Sequence, residues 1–357
     1  MSSTKTTSLL LSLLLLQLLL LGCNAYVVHR MPHHVPANGN TKDQKERPLV
    51  WLEQMTENIC STKPGFLSHE LLETAPQLMD AWAHSEEVDA MKCAEKVESL
   101  VKRVVEERHA GNEEATMTWK EYHFLLESWA RSAIRSPTTT TATTTIAVAQ
   151  RCQQILIEMQ RHEELKPPLV CFKTVLMAWR ASSKQDPEQA ARGAQQLLEW
   201  MTSLYRKGEN PVCPDADCFD MVLQMWAGSS SKDAPEQTEK LLVAMEKLSN
   251  EISDVKPRTT SFNAVLKAWA TSDRNFAKHH AVDILRYMED RSKKDGGATN
   301  PDPYTYMNVL KALSRKGDCH PTQASALLGR VERRYEEGNQ DWMPDTPLYN
   351  AVIACWA

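Results

Sequence analysis

Two clusters of histidine and glutamate contain the residue types that could bind a metal ion or transfer a proton. His162 is followed by Glu163 and Glu164, and His279 is followed directly by His280. A zinc site carried on one helix needs two histidines four residues apart, because that spacing places both rings on the same face. Neither cluster has this spacing, and no other arrangement of side chains typical of catalysis is present. We therefore expect no catalytic residues, no metal site and no cofactor, and predict that the protein is not an enzyme.

A repeated pattern of apolar residues organises the chain. From Phe262, the apolar residues Val265, Leu266 and Trp269 follow at i+3, i+4 and i+7, which places all four on one face of an α-helix. The pattern recurs from five other aromatic residues, namely Tyr122, Phe172, Phe219, Tyr306 and Tyr349. A degenerate copy runs from Ala75 to Trp82. The period of 43 to 50 residues indicates an array of stacked two-helix units.

The second helix of each unit has its own signature, a leucine-rich stripe that ends in methionine. It ends at Met201, Met245 and Met288, and Leu49 to Ile59 resembles the second helix of an incomplete leading unit. Between units, Pro-Asp pairs end one helix and supply a cap for the next; their aspartates are Asp215, Asp302 and Asp345. The sequence therefore predicts an all-α fold, an α-solenoid of antiparallel helix–turn–helix repeats from residue 49 to 357. We expect the four tryptophans of the pattern to be buried at equivalent positions: Trp129, Trp179, Trp226 and Trp269.

Bulk composition agrees with a folded helical protein. Hydrophobic residues make up 42% and charged residues 24% of the chain, and glycines number only 12. The formal net charge of −5 argues against indiscriminate binding to polyanions, because such binding depends on Lys and Arg neutralising phosphates. It leaves room for a local basic groove.

Eight cysteines follow the N-terminal leader, and none of them forms a C-x-x-C pair. Most lie on helical positions, where buried free thiols are the usual state. Cys171 and Cys218 occupy equivalent positions of adjacent units, so a disulfide between them is an alternative.

The N-terminus has the features of a targeting leader. The apolar run from Leu9 to Leu21 is shorter than the about 20 residues that span a bilayer, and small residues precede a cleavage point after Ala25. We predict a signal peptide at residues 1–25 and entry into the ER system; an uncleaved anchor or a lipoprotein signal is the alternative. Without the leader, we expect no stable membrane insertion.

Residues 26–48 contain proline and glycine breakers, and we predict an extended, poorly ordered segment. A mildly basic segment after an aromatic residue at the cleavage point resembles the bipartite leaders of algal plastid proteins, so the plastid is the suspected destination. A mitochondrial or a secreted protein is the alternative. We also predict that the threonine-rich stretch from Ser136 to Thr145 is an exposed, flexible insertion. The array stops at Ala357 after a first helix, so we expect that its C-terminal part is missing here.

The segments from Lys256 to Ala270 and from Pro344 to Ala357 resemble the pentatricopeptide repeat. Both open a first helix with an aromatic residue, then Asn, then an aliphatic pair, after a proline junction. The resemblance covers about residues 67–357, with units longer than the family's. It implies an organellar protein that binds single-stranded RNA in a groove lined by first helices and acts in RNA processing, stability or translation as a non-catalytic clamp.

The resemblance also assigns residues to RNA. In the family, the residue after the template aromatic and the last residue of the repeat contact the base. The matching pairs are His123 with Pro168, Lys173 with Asp215, Asp220 with Arg258, Asn263 with Asp302 and Met307 with Asp345. Only Asn263 with Asp302 fits the usual combinations, and it favours uracil. Val170 and Tyr304 occupy base-clamping positions. Lys267 lies one turn beyond Asn263 and is expected to reach phosphate. Asn350 follows Tyr349 as Asn263 follows Phe262. The predicted RNA-binding residues are Asn263, Asp302, Lys267, Val170, Lys173, Asp215, Tyr304, Asp345 and Asn350.

A protein-binding helical scaffold is the alternative function. The acidic balance and the departures from the family's base-reading pairs favour it. A basic groove along the first helices would favour RNA, and an acidic or apolar one would favour a protein partner.

Overall fold

The computed structural model describes residues 41–135, 144–162, 164–274, 276–315 and 321–356, with side chains from residue 49 onward except that of Thr144. Within these ranges the regular structure comprises fourteen α-helices and two short 3₁₀ turns. The predicted signal peptide and residues 26–40 lie outside the described part. The helices group into two compact units that divide between Arg135 and Ser136.

The first unit contains four helices. They are α1 (Thr41–Ser61), α2 (His69–His84), α3 (Ala90–His109) and α4 (Trp119–Arg135). Helix α1 begins at Thr41, so the prediction of an extended segment up to residue 48 is wrong for residues 41–48. These residues are rich in Lys, Gln, Glu and Arg, which have high helix propensity and lengthen the helix that the apolar pattern predicts only from Leu49.

The second unit contains ten helices. They are α5 (Thr144–Arg161), α6 (Leu169–Ser182), α7 (Pro187–Lys207), α8 (Ala216–Gly228), α9 (Ala234–Ser249), α10 (Thr259–Thr271), α11 (Ala277–Ser292), α12 (Pro303–Leu313), α13 (Pro321–Glu336) and α14 (Thr346–Trp356). Residues 136–143 of the threonine-rich stretch lie outside the description. Its last residue, Thr145, belongs to α5, is buried, and donates a hydrogen bond from its hydroxyl to Gln185, so the prediction of an exposed insertion is wrong there.

The helices alternate in role along the chain. The even-numbered helices carry the aromatic pattern and are called first helices; the odd-numbered ones are called second helices. In the second unit the first helices α6, α8, α10, α12 and α14 pack on one another in sequence order. Each of these except α14 also packs on the second helix before it and the one after it, and α14 packs on α13. The predicted all-α, solenoid-like repeat fold is confirmed.

The repeated apolar positions form the core, as the spacing predicts. Phe172, Phe219 and Phe262 are at most 2% exposed, and the methionines that end the second helices are buried as well. The aromatic pattern is less uniform elsewhere. Trp129 is only half-buried, so its predicted burial is wrong, although its N–H still donates to Glu98 on α3. Tyr349 and Trp356 on α14 are exposed.

The tryptophans of the first helices also make a regular polar contact. Five indole N–H groups each donate a hydrogen bond to a side chain on the preceding second helix, with donor–acceptor distances of 2.7 to 3.1 Å: Trp82 to Thr56, Trp129 to Glu98, Trp179 to Gln153, Trp226 to Gln195 and Trp269 to Glu239. A buried N–H must find an acceptor, and this one lies on the neighbouring helix. The contact therefore fixes how consecutive repeats lie against each other within each unit.

The described cysteines are free thiols. Cys171 and Cys218 are both buried and unbridged, so the alternative of a disulfide between them is not realised. Burial raises the pKa of Cys152 and of Cys171 to about 12, which leaves both thiols protonated and unreactive at neutral pH.

Candidate functional site

Three of the predicted base-reading pairs are in direct contact across neighbouring first helices of the second unit. Lys173 Nζ lies 2.5 Å from Asp215 Oδ2, and Arg258 Nη2 lies 2.7 Å from Asp220 Oδ2. Asn263 Nδ2 lies 3.1 and 3.2 Å from the two carboxylate oxygens of Asp302. In all three pairs the partner at the end of one repeat reaches back to the first helix of that repeat.

Helix capping explains how these aspartates are positioned. Asp215 and Asp302 adopt extended backbone conformations at the N-caps of α8 and α12. Their side chains accept hydrogen bonds from the backbone N–H groups of Cys218 (3.1 Å) and Thr305 (2.7 Å). Because a cap must sit just outside its helix, each carboxylate lies in the junction between consecutive first helices, facing the residue that it pairs with.

The first two pairs belong to one ion network that runs from α6 to α10. Asp217 Oδ2 lies 3.4 Å from Lys173 Nζ, and its Oδ1 lies 2.7 Å from Arg258 Nη2, so this carboxylate joins the two pairs. Arg258, and to a smaller degree Lys173, hold the pKa of Asp217 below its ordinary value. Asp220 is buried and also accepts hydrogen bonds from the hydroxyls of Thr260 and Ser261. Two cations and three carboxylates are thus engaged with one another in this network.

The third pair is a neutral amide beside one carboxylate. Asn263 is 6% exposed, and Thr305 Oγ1 donates to its Oδ1 at 2.7 Å. A carboxylate only accepts hydrogen bonds, so the amide must turn its NH₂ group toward Asp302 and its oxygen toward Thr305. Asp302 Oδ1 accepts from Thr305 N–H and from Asn263 Nδ2, whereas Asp302 Oδ2 accepts, among the described residues, from Asn263 Nδ2 alone. One acceptor oxygen therefore remains available beside a fixed amide.

This pair lines an open cavity of about 530 Å³ along the first helices α6, α8, α10 and α12. Lys267 and Tyr304 line it too, and the Tyr304 ring is 43% exposed. Arg180, near the end of α6, contributes a second cation. Within the described residues, neither Arg180 nor Lys267 forms an ion pair or a side-chain hydrogen bond, so both charges face the cavity uncompensated.

The structure thus gathers four of the predicted residues into one site, Asn263, Asp302, Lys267 and Tyr304. It separates the other five from it. Lys173 and Asp215 are held in the ion network, Val170 is exposed at the start of α6, Asp345 caps α14 through the N–H of Leu348 at 3.0 Å, and Asn350 is exposed on α14.

Most other residues of the cavity lining were not among the predicted site residues, for example Arg180, Gln224 and Gly228. A signal for Arg180 was present. It lies eight residues after the template aromatic Phe172, and the equivalent positions in the other repeats hold only Ala or Ser. A large cation at a position that is otherwise small marks one repeat as different from its neighbours.

Two further properties of the described residues bear on function. They include no group of three or more His, Cys, Asp and Glu side chains placed to hold a metal ion. None of their helices combines the length and the apolar character needed to cross a membrane.

Comparison with protein-family models and with curated proteins gives no match for the chain.

Proposed function

We propose that the protein is a single-stranded RNA-binding repeat protein of the pentatricopeptide type, which holds its RNA along the first helices of the second unit as a non-catalytic clamp. The observation that carries the proposal is the cavity in which the Asn263–Asp302 pair, the exposed ring of Tyr304 and two uncompensated cations lie together. An amide and a carboxylate suit a base edge, an aromatic ring suits a base face, and Lys and Arg suit phosphates.

The hydrogen-bonding pattern of the pair supports a preference for uracil. Asp302 Oδ2 is an acceptor, and the Watson–Crick edge of uracil offers an imino N–H. Cytosine presents a ring nitrogen with a lone pair at the same place, which the carboxylate would repel. Discrimination of this kind is worth about 1 to 3 kcal/mol by analogy with base readout in grooves. We therefore expect oligouridylate to bind on the order of tenfold more tightly than oligocytidylate.

The two cations support backbone binding. Arg180 on α6 and Lys267 on α10 both line the cavity, and α8 packs between these helices. Two phosphates neutralised in this way give a salt-dependent affinity but carry no sequence information. The net charge of −5 then limits binding to this local site rather than to the whole surface.

The test is fluorescence anisotropy with labelled oligouridylate and oligocytidylate, using the full chain. Lys267→Ala and Arg180→Ala should weaken both ligands equally and each lower the salt slope by about one. Lys247→Ala is the matched control, since this lysine is exposed on the second helix α9, outside the cavity lining. If the wild-type chain shows no salt-sensitive RNA binding at about 50 mM salt, where electrostatic contacts are strong, the proposal fails.

Base reading needs a separate variant. Asn263→Ala should relax the uracil preference, but it also removes the acceptor of the Thr305 hydroxyl and so disturbs the start of α12. Asp302→Asn is the more specific test of base contact, because Asn caps helices about as well as Asp and the start of α12 should be preserved. It should keep the fold and the overall affinity while reducing the preference of uracil over cytosine. An unchanged preference would argue against base contact by this pair.

The proposed location is an organelle reached through the ER system, with the plastid as the suspected destination. The apolar run from Leu9 to Leu21 supports it. A fluorescent protein fused behind residues 1–47 should enter the ER system, and a diffuse cytosolic signal would contradict the proposal.

A further inference from the structure

Aromatic residues cover one another at equivalent places in the second unit. The template aromatic of a first helix pairs with a ring from the same repeat: Phe172 with Trp200 and Phe262 with Tyr287, both at centroid separations of 5.9 Å, and Tyr306 with Trp342 at 5.8 Å. Trp200 and Tyr287 occupy the same position, directly before the methionine that ends the stripe of the second helix. Each of these two rings sits over the phenylalanine of its own repeat.

The repeat formed by α8 and α9 departs from this rule. Its template aromatic is Phe219, and the position before Met245 holds Ala244 instead of a ring. Among the described residues, no aromatic ring pairs with Phe219. In place of the ring there is an open cavity of about 450 Å³, with Phe219 and Ala244 in its lining. The missing side chain thus leaves a ring-accepting cavity between the second helices α7 and α9.

The next repeat indicates what the cavity is shaped to hold. There Tyr287 reaches across to α9, where its hydroxyl donates to Glu246 at 2.9 Å, and Arg291 closes the same gap with an ion pair to Glu246 at 2.6 Å. The gap between α7 and α9 has neither the ring nor this closing ion pair. A protein side chain fills the equivalent position elsewhere in the chain, so a ring presented by another polypeptide fits here.

The rim of the cavity is basic. Arg206 and Lys207 on α7 and Lys240 on α9 line it, together with one acid, Glu199. Glu199 accepts a hydrogen bond from Gln195 at 2.9 Å. Arg206 and Lys240 form no ion pair or side-chain hydrogen bond with other described residues. The lining thus combines apolar residues (Leu198, Phe219, Leu241 and Ala244) with two unpaired cations, and this combination is complementary to an aromatic residue with acidic neighbours.

We infer that this cavity is a docking site for a partner protein, and that the partner inserts one aromatic side chain from an acidic segment. The site shares no lining residue with the cavity at Asn263, so it is independent of the proposed RNA binding. Arg206 and Lys240 attract the acidic residues, and the ring occupies the place over Phe219 that Trp200 and Tyr287 fill in their own repeats. The partner is thus held on the second helices, away from the first-helix residues assigned to RNA.

The experiment measures binding of a short fluorescein-labelled peptide of Asp and Glu residues with one central Trp to the full chain. The same peptide with Ala in place of Trp should bind about tenfold or more weakly, as expected for a buried aromatic anchor. Ala244→Trp copies Trp200, fills the cavity from within, and should abolish peptide binding at an unchanged or raised melting temperature. If the Trp side chain prevents folding, Ala244→Leu provides the same test with a smaller side chain.

Charge is tested separately with matched variants. Arg206→Glu combined with Lys240→Glu should weaken the Trp peptide at least about tenfold, whereas Lys247→Glu, two turns beyond Lys240 on the same helix and outside the cavity, should not. Three results would overturn the inference: no binding by the wild-type chain, equal binding by Ala244→Trp, or equally tight binding of indole-3-propionate alone, which would indicate a small-molecule site. Because Ala244→Trp leaves the first helices unchanged, its RNA binding reports separately on the proposed function.

Discussion

Replacing Gly193 with alanine tests whether close contact between a first and a second helix limits the stability of the second unit. A Cβ atom at Gly193 on α7 would lie only 2.6 Å from two carbons of the Trp179 ring. Such separations are well inside van der Waals contact. The ring is 3% exposed, and its N–H is bound to Gln153 on α5 at 3.1 Å, so it cannot move away without loss of that hydrogen bond. The helices that carry Trp179 and Gly193, α6 and α7, must therefore move apart to relieve the clash.

The magnitude follows from two opposing contributions. Overpacking a tight core costs about 1 to 3 kcal/mol. Alanine in place of glycine within a helix gains about 0.5 to 1 kcal/mol. The free energy of unfolding should therefore fall by about 1 kcal/mol for Gly193→Ala, although alanine is the better helix former.

Gly228→Ala is the control, because Gly228 is the last residue of helix α8 and a Cβ there meets no atom within 4 Å. It should leave stability unchanged or slightly raised. The assay is urea unfolding followed by circular dichroism on both variants and the parent. A Gly193→Ala variant as stable as Gly228→Ala would refute the reasoning. Combining Gly193→Ala with Trp179→Phe, which shortens the ring, should remove most of the cost, as a double-mutant cycle would report.

Three other perturbations have expected outcomes in thermal or chemical unfolding and in titration. Trp226→Ala removes a side chain that is 2% exposed and its bond to Gln195, and should cost about 3 to 5 kcal/mol, with an unchanged melting curve counting against the repeat packing. In the first unit, burial would raise the pKa of Glu107, but Arg103, Asn112 and the N–H of Leu67 lower it below its ordinary value. The ionised carboxylate therefore stabilises the fold when the pH is above that ordinary pKa, and this contribution is lost as the pH falls. Glu107→Gln should lower the free energy of unfolding by about 3 to 5 kcal/mol at neutral pH and make stability less dependent on pH in acid. Hydrogen bonds to Asp80 and Glu127 raise the pKa of His84 to about 10. The stability that protonated His84 contributes is therefore complete below the ordinary pKa near 6.5 and is lost as the pH rises toward 10. An NMR titration that gives His84 a pKa at or below 6.5 would contradict the contact between α2 and α4.

The helices and their core could be predicted because the apolar spacing is strictly periodic. Burial of one helix face needs only residues at i, i+3, i+4 and i+7, and Phe172, Phe219 and Phe262 obey it almost without change. Proline and aspartate at the junctions predicted the caps for a similar reason, since both act within a few residues of chain. Interactions of short sequence range were thus accessible from the sequence.

The arrangement of the site could not be predicted in the same way. The role of Asp217 in joining Lys173 to Arg258 depends on contacts between residues about 40 positions apart in the chain. Hydrogen bonds and ion pairs have a reach of a few ångströms, so a shift of one helix turn would exchange every partner. The apolar period determines which face of a helix is buried, but not how one helix is aligned along its neighbour. The hydrogen bonds from the indoles to the preceding second helices fix this alignment, and the apolar pattern of the first helices does not predict them.

Departures from the repeat explain where the candidate sites lie. A regular array satisfies its own rings and charges, as Trp200 covers Phe172 and as Arg258 pairs with Asp220. A site for another molecule needs groups that the array leaves unsatisfied. Arg180 stands where other repeats have Ala or Ser and leaves a free cation. Ala244 stands where the repeats on either side have Trp200 and Tyr287, and leaves that ring position empty. The candidate sites therefore lie where one repeat differs from its neighbours and leaves a charge or a ring position without a partner.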